Sequence, residues 1–440
     1  MKRRVSVIGL GKLGLPMAVL FASKGFKVVG VDVDKRVVNA VNEGKCPVYE
    51  PGVAELLRKH KGYIVATDDY KFAVNNTDVS FIVVPTPSEE DGSFSLKYVE
   101  AAGREIGKNL KGKDGFHLVV LVSTVLPGGT EKLKQVLESS SGRRCGVDFG
   151  LCYSPEFIAL GSVLKGLTKP DLVLIGESDP KSGELLSEIY RKTCENNPPI
   201  VRTNFWNAEL GKILLNAYVT MKISFANTAA ELCEKVPGGD VDVVSRILGL
   251  DSRIGEKYLA GGLAYGGPCF PRDNRAVARF AQAVGVRAKL PEATHEVNLY
   301  QSRRVVDLIK SRLGGLKGLR VAVLGLTYKP GTDVVEESSS IKIVEGLIEE
   351  GAAVSVYDPA GMENAKKVLG ESVRYAPSLE DCLKGAELCI LATPWDEFKK
   401  LKPEDFLRNM SRPALLDCWR LFKDSEFKRK LKYFAIGLGA

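Results

Sequence analysis

Through the first part of the chain, short apolar runs alternate with stretches whose apolar residues recur at helical spacing. The runs Val5–Ile8, Lys27–Val31, Val79–Val84, His117–Val122 and Gly150–Tyr153 read as strands. Helical spacing fills intervals between them, as at Pro16–Ser23 and Val37–Glu43. Alternation of this kind predicts a parallel sheet with helices on both faces.

From about Asn207 the pattern changes. Ala208–Glu234 reads as one long helix with no internal Pro or Gly after Gly211, and Pro237-Gly238-Gly239 ends it. A second helical stretch covers Asp242–Leu248, and a Gly-rich segment follows from Gly255 to Pro268. Strand–helix alternation restarts at Leu319. Arg320–Leu326 is a strand running into a Gly turn, Ile341–Gly351 is helical, and Ala353–Asp358 is a strand ending in an acid. Leu388–Ala392 and Ala414–Asp417 are further strands. The expected fold class is therefore α/β, with two doubly wound domains joined by a central long-helix region. The expected boundaries are residues 1–203, 204–300 and 301–440. The long helix is a candidate dimer surface, although a helix buried within one chain has the same pattern.

Composition narrows the class. A chain of 440 residues with 45% hydrophobic and 26% charged residues fits a soluble globular protein of two or three domains. The net charge of +8 comes without Lys/Arg blocks interleaved with aromatics. That favours anionic small molecules over nucleic acid as partners. The first strand follows Met1–Arg4 directly, so no signal peptide is expected. No apolar run approaches the roughly 18 residues of a membrane helix, and a cytoplasmic location is expected. Nine cysteines without a CxxC pair suggest neither a disulfide framework nor a zinc site. The histidines at 60, 117 and 295 are too scattered for a metal site or an evident Ser-His-Asp triad. No metal is expected, and a nucleophile is best sought among the cysteines.

Gly9-Leu10-Gly11-Lys12-Leu13-Gly14 follows the first strand and opens the first helix, and the second strand ends at Asp32. Glycines there permit a tight turn and close approach of a pyrophosphate to a helix N-terminus. Asp32 is placed to accept hydrogen bonds from ribose hydroxyls, and its charge opposes a 2′-phosphate, so NAD is favoured over NADP. This is a Rossmann-like site, and the layout of the C-terminal part is Rossmann-like too. Its turn, Gly325-Leu326-Thr327-Tyr328-Lys329-Pro330-Gly331, lacks the three-glycine spacing although Asp358 echoes Asp32. A second NAD site is not expected there; another phosphate-bearing ligand fits, with Lys329 supplying charge.

The segment Gly266-Gly267-Pro268-Cys269-Phe270-Pro271-Arg272-Asp273 is the candidate for chemistry. Glycines before the cysteine allow a ligand to pack closely. Arg272 favours the thiolate, while Asp273 opposes it but can orient a water. Taken alone, a cysteine in a Gly-Pro turn is more often a small packed hydrophobe than a nucleophile.

Several separated motifs resemble the UDP-glucose/GDP-mannose dehydrogenase family, over nearly the whole chain. They are the Gly9–Gly14 turn with Asp32, Val84-Pro85-Thr86-Pro87, Ser123-Thr124-Val125 and Ser154-Pro155-Glu156-Phe157. Glu209, Lys212 and Asn216 follow on the long helix, then Arg253-Ile254-Gly255, the Cys269 segment and Gly325–Lys329. The resemblance implies an NAD-dependent four-electron oxidation of a nucleotide sugar's primary alcohol, through a thiohemiacetal and a thioester on Cys269. It implies catalytic roles for Lys212 and Asn216 at the oxyanion, and for Asp273, Thr124 and Glu156 in holding water and moving protons. Cofactor contacts are implied for the Gly9–Gly14 turn, Asp32, Pro85, Thr86, Thr124, Glu156 and Arg272. Substrate contacts are implied for Glu156, Phe157, Lys212, Asn216, Arg253, Tyr258, Tyr265, Gly266, Tyr328, Lys329 and Arg420. Arg253 is expected to reach the sugar nucleotide of a neighbouring subunit, hence a homodimer or larger homo-oligomer.

Four positions depart from the family pattern. Leu160 stands where a second glutamate is common, and Glu336 where an arginine normally helps to hold the cofactor. Asp417-Cys418-Trp419-Arg420 replaces an Asp-Gly-Arg motif, and Ala260 replaces a lysine near the phosphate segment. Gly267-Pro268-Cys269-Phe270-Pro271 resembles the glucose-type segment, which implies UDP-glucose as substrate and UDP-glucuronate as product. A UDP-N-acetylhexosamine or GDP-mannose 6-dehydrogenase of the same mechanism is the alternative. A single-oxidation hydroxyacid dehydrogenase needs neither Cys269 nor the second α/β part. A non-enzymatic NAD- and sugar-nucleotide-binding sensor has support only in Leu160 and Glu336.

Overall fold

The computed structural model describes residues 4–423 and 426–439; the first three residues, ahead of the first strand, lie outside that description. The chain divides into two units, Met1–Leu215 and Asn216–Ala440, and the division falls within the helix Phe205–Glu234.

The first unit is built on β1 (Arg4–Ile8), β2 (Lys27–Val31), β3 (Ile64–Thr67), β4 (Val79–Ile82), β5 (Leu118–Leu121), β6 (Gly150–Tyr153), β7 (Val173–Glu177) and β8 (Ile200–Thr203). They form one sheet in the order β3-β2-β1-β4-β5-β6-β7-β8. Every neighbouring pair is parallel except β6 with β7. Both faces are covered. Leu118 and Val120 of β5 pack on one side with the helix Gly14–Ser23, while Val119 and Leu121 pack on the other with the helix Lys97–Leu110. Burial on both faces explains why these strands read as continuous apolar runs.

The second unit holds β9 (Arg320–Leu324), β10 (Ala353–Tyr357), β11 (Arg374–Tyr375), β12 (Leu388–Leu391), β13 (Ala414–Asp417) and β14 (Lys432–Ala435). Their order is β11-β10-β9-β12-β13-β14, all parallel. The second sheet thus repeats the topology of the first six strands of the first, in which the order reverses beside the first strand, and the α/β expectation holds. In such sheets ligands bind at the carboxyl ends of the strands flanking the reversal.

Each expected strand is present within two residues of its expected ends. Among the described residues five more are present, and four of these (β3, β8, β11 and β14) are sheet edges. An edge strand buries little of its surface: none of the four residues of β8 is fully buried. That is why no apolar run announced them. The long helix begins at Phe205 rather than Ala208. The helices Phe270–Ala283 and Lys289–Leu313 were not anticipated, and the second carries core-facing polar residues such as Asn298 and Gln301 that break its apolar stripe.

Candidate active site

In the first unit the turn after β1 has its three glycines for different reasons. Gly9 has φ +95°, and a Cβ there would run into the Val83 carbonyl; at Gly14 it would strike the Gly9 carbonyl. Gly11 instead faces open space. The chain's own packing therefore requires Gly9 and Gly14 but not Gly11, whose missing side chain leaves the backbone open to a close ligand. The helix Gly14–Ser23 starts with no side-chain cap and no acid in its first turn. Its N-terminal end is thus suited to an anion. Leu10 is buried against the core, while Lys12 and Leu13 are half-buried.

Asp32, half-buried, accepts from the Leu10 amide at 2.8 Å through Oδ2 and from the Asp34 amide at 2.9 Å through Oδ1. These bonds fix the carboxylate beside the Gly turn and leave lone pairs for a ribose. Across the reversal, the loops after β4 and β5 are laced together. Ser123 Oγ accepts from the Val84 amide at 3.0 Å, and Thr86 Oγ1 donates to the Thr124 carbonyl at 2.8 Å. Pro85 is exposed on the same loop. This arrangement fits a dinucleotide.

After β6 the chain turns through Ser154 to Phe157. Lys212, only 6% exposed, donates to the Glu156 carbonyl at 2.7 Å and lies 4.7 Å from the centre of the Phe157 ring. Burial pushes the Glu156 carboxyl up to about 7, with the Lys212 ammonium and the Tyr190 hydroxyl pulling the other way. A carboxyl so poised can hold or release a proton near neutral pH. Glu209 has a different duty: its oxygens accept from the Gly128 and Thr130 amides, each at 2.7 Å, and so cap the helix Gly129–Ser141.

In the second unit Cys269 is exposed and stands at the N-cap of the helix Phe270–Ala283, with Pro271 in its first turn. The Asp273 amide closes that turn on the Cys269 carbonyl at 2.8 Å. The Asp273 carboxylate is 1% exposed and accepts from Asn216 Nδ2 at 2.7 Å and from Arg272 Nε at 3.0 Å. Arg272 is thus held against Asp273.

The segment before the cysteine is clamped by groups that sequence reasoning missed. Asn298 brackets the Tyr265 backbone through bonds of 2.8 and 3.0 Å. Asn274 Nδ2 donates to the Tyr265 hydroxyl at 2.9 Å and to Thr220 Oγ1 at 2.7 Å. Asn227 accepts from the Gly262 amide at 2.8 Å. The available signal was a set of polar residues at core-facing helical spacing. A Cβ on Gly266 would meet the Glu337 carbonyl, and one on Gly267 would meet the Tyr328 ring. Close packing of the Glu337 carbonyl and of the Tyr328 ring thus explains this glycine pair. Lys329 follows, half-buried.

Three other candidates lie apart from this cluster in their bonding. Arg253 is exposed and paired with Asp251 at 2.6 Å, and Tyr258 is half exposed with φ +67°. Arg420 is 5% exposed, and its guanidinium is spent internally on Asp242 at 3.0 Å, the Ile436 carbonyl at 2.8 Å and the Gly261 carbonyl at 2.6 Å.

Comparison with known proteins places these features in context. The NAD binding domain of the UDP-glucose/GDP-mannose dehydrogenase family matches residues 3–194, its central domain residues 206–300 and its UDP binding domain residues 322–424. The chain belongs to this family. A UDP-glucose 6-dehydrogenase of Haloferax volcanii is 40% identical over 404 residues, covering 91% of this chain and 93% of the relative. One from Rhizobium meliloti is 38% identical, covering 99% of each. Among solved structures, a UDP-glucose dehydrogenase from the hyperthermophilic archaeon Pyrobaculum islandicum superposes with a TM-score of 0.90 at 37% identity, over 100% of this chain and 98% of that one.

Within the family, the departures acquire local explanations. Leu160 packs against the apolar core of the first unit, a place unsuited to a carboxylate. Glu336 is exposed and contributes its backbone carbonyl, which accepts from the Gly267 amide at 3.0 Å. Trp419 packs on Gly262 and donates to the Ala392 carbonyl at 2.7 Å. Ala260 is exposed. NAD is the family's cofactor, and no helix among the described residues is long and apolar enough to cross a membrane.

Proposed function

We propose that this chain oxidises UDP-glucose to UDP-glucuronate in the cytoplasm, with NAD as oxidant and Cys269 as nucleophile. Residues 1–203 serve the cofactor, 204–300 carry the nucleophile, and 301–440 serve the UDP moiety. The observation that carries this reading is Cys269 itself. It is the exposed cysteine of the nine, at a helix N-terminus, one turn before an Asp273 fixed by Asn216 and Arg272.

Bound NAD, on the Gly9–Gly14 turn with Asp32, Pro85, Thr86 and Thr124, supplies the hydride acceptor for both oxidations. The first oxidation turns the alcohol into an aldehyde. The Cys269 thiolate, favoured at a helix N-terminus, adds to the aldehyde carbon to give a thiohemiacetal. Lys212 supplies the buried positive charge an oxyanion needs, with Asn216 as a neutral donor. Loss of the second hydride leaves a thioester, and water hydrolyses it to the carboxylate and the thiol. Asp273, Glu156 and Thr124 orient that water and take protons. Per sugar, two hydrides leave and one water enters. Phe157, Tyr265, Gly266, Tyr328 and Lys329 form the substrate contacts.

A homodimer fits the apolar side chains left exposed on the second unit. Tyr218, Phe225 and Leu232 recur every seven residues along the long helix, and Val243, Ile247 and Leu250 are exposed on the helix Val241–Leu250. A stripe of this kind calls for a partner. In that dimer Arg253 reaches the neighbour's sugar nucleotide.

The test is NADH formation by purified protein with NAD and, separately, UDP-glucose, UDP-N-acetylhexosamines and GDP-mannose, each repeated with Cys269→Ala. Two NADH per UDP-glucose, lost in the variant, is the expected result. Faster turnover of another sugar nucleotide reassigns the substrate, and NAD binding without NADH from any of them leaves a sensor.

A further inference from the structure

Inside the first unit, behind the Ser154–Phe157 turn, Ser154, Glu156, Leu167, Leu174, Tyr190 and Cys194 line a small cavity. Glu156 Oε1 is buried without a hydrogen-bond partner among the described residues. Tyr190, 7% exposed on the helix Pro180–Thr193, places its hydroxyl 2.8 Å from Ser154 Oγ and lines the same small cavity as Glu156. Ser154 Oγ also lies 2.9 Å from the Leu174 carbonyl, to which it donates.

Counting protons fixes the direction of this chain. A serine hydroxyl has one proton, and the Leu174 carbonyl takes it. The proton between Ser154 and Tyr190 is therefore the tyrosine's. While Tyr190 donates to Ser154, it offers Glu156 only a lone pair, which suits a protonated carboxyl. Rotation about the phenolic C–O bond turns the same proton onto Glu156 once the carboxyl ionises.

We propose that Tyr190 is a positioning residue of the reaction, its hydroxyl swinging between Ser154 and Glu156 so that both charge states of the carboxyl are served. This rests on the proton-handling role given to Glu156 above. The other titratable groups around the pair are Lys212 from the long helix, Cys194 after the tyrosine's own helix, and Cys152 of β6. Lys212 favours the ionised carboxyl, whereas burial holds both thiols neutral, Cys194 at about 11 and Cys152 well above its usual value. Of the carboxyl and the two thiols, Glu156 is accordingly the group that titrates near neutrality.

The two neighbours of the tyrosine proton give opposite predictions. Tyr190→Phe removes the donor to the carboxylate, so Glu156 should ionise at higher pH, by about one unit for the loss of one charge-assisted bond. Ser154→Ala removes the competitor for that proton, so Glu156 should ionise at lower pH. The measurement is an infrared difference titration of the protonated-carboxyl band, assigned with Glu156→Gln, together with the pH profile of kcat. Thermal melts of both variants establish that they are folded, and Tyr190→Phe keeps the packed ring. Shifts of opposite sign support the proposal. Shifts of the same sign, or none, overturn it, because loosened packing moves both variants alike. Wild-type protein that makes no NADH overturns the reading of the reaction and leaves the infrared titration to decide on the tyrosine.

Discussion

Asn216 donates its side-chain amide to Oδ2 of Asp273 across 2.7 Å, with the two residues 6% and 1% exposed. The same aspartate closes the first helical turn on Cys269 through its backbone and accepts from Arg272 through its other oxygen. Backbone and carboxylate of one residue thus tie the Cys269 turn to the long helix. An acceptor held on both oxygens by donors cannot be replaced by an amide without setting an N–H against one of them.

Asp273→Asn should therefore lower kcat by about 100-fold or more, the scale of a lost general base. It should also cost about 1–3 kcal/mol of stability through the unmatched buried donor. NADH initial rates and a thermal melt, run side by side, check both effects. A variant with wild-type kcat would remove Asp273 from the chemistry.

The cysteines offer a sharper contrast. Burial raises the thiol of each of the other eight: Cys145 and Cys194 to about 11, Cys382 to about 12, and Cys46, Cys152, Cys233, Cys389 and Cys418 above their usual value. Cys269 alone is exposed. Iodoacetamide at limiting concentration and neutral pH should therefore label one site per chain, and peptide mass mapping should find it at Cys269. Prior labelling should abolish NADH formation. Equal labelling of Cys46 or Cys194 would contradict the assignment.

Glu156 makes stability depend on pH with a definite sign. Its carboxyl is raised from the usual 4.5 to about 7 in the folded chain, so the folded state prefers the protonated form. The stabilisation is fully present below about pH 4.5 and is lost as pH rises through about 7, since the folded state then holds a proton that the unfolded chain has released. The gap corresponds to about 3 kcal/mol at most. Glu156→Gln, permanently neutral, should match wild type at pH 4 and exceed it at pH 8 in denaturant melts. A difference between the two proteins that stays constant from pH 4 to pH 8 would deny the shift.

Much of the local geometry of this candidate site is legible in the sequence because its parts obey local rules. The Gly9–Gly14 turn and Asp32 are set by a strand, a tight turn and a helix that follow one another in the chain. The Cys269 segment announces itself by Gly-Gly-Pro before and Pro-Arg-Asp after. What escaped is non-local. Tyr190 meets Ser154 across 36 positions, and Asn298 meets Tyr265 across 33, so neither pair leaves a spacing signal. Glu209 carried a motif but no role until the amides of Gly128 and Thr130 appeared above it. Arg420 looked like a substrate arginine by its place after Asp417, and only its three internal partners reveal how fully it is used.

The two acids that follow the second strand of each sheet supply the last prediction. Asp32 follows β2 and Asp358 follows β10, at equivalent places in the shared topology. Asp32 is half-buried and accepts from the Leu10 and Asp34 amides. Asp358 is 2% exposed, and its oxygens accept from the amides of Leu326, Thr327, Ala360 and Gly361, from Thr327 Oγ1 and from Trp395 Nε1. A carboxylate with that many donors has no lone pair to spare for a ribose. Gly325, like Gly9, is required by packing, since a Cβ there would strike Thr393, and the place equivalent to the open Gly11 is held by Thr327, 1% exposed. One NAD per chain should bind in calorimetric titration, despite two sheets of the same design. Asp32→Ser should weaken NAD and narrow its advantage over NADP, because the repulsion of a 2′-phosphate goes with the charge. Asp358→Asn should leave the NAD dissociation constant unchanged and lower the melting temperature, because a buried acceptor is replaced by one that must also donate. Two equivalents of NAD bound per chain, or an affinity that falls with Asp358→Asn, would mean that the second acid serves the cofactor after all.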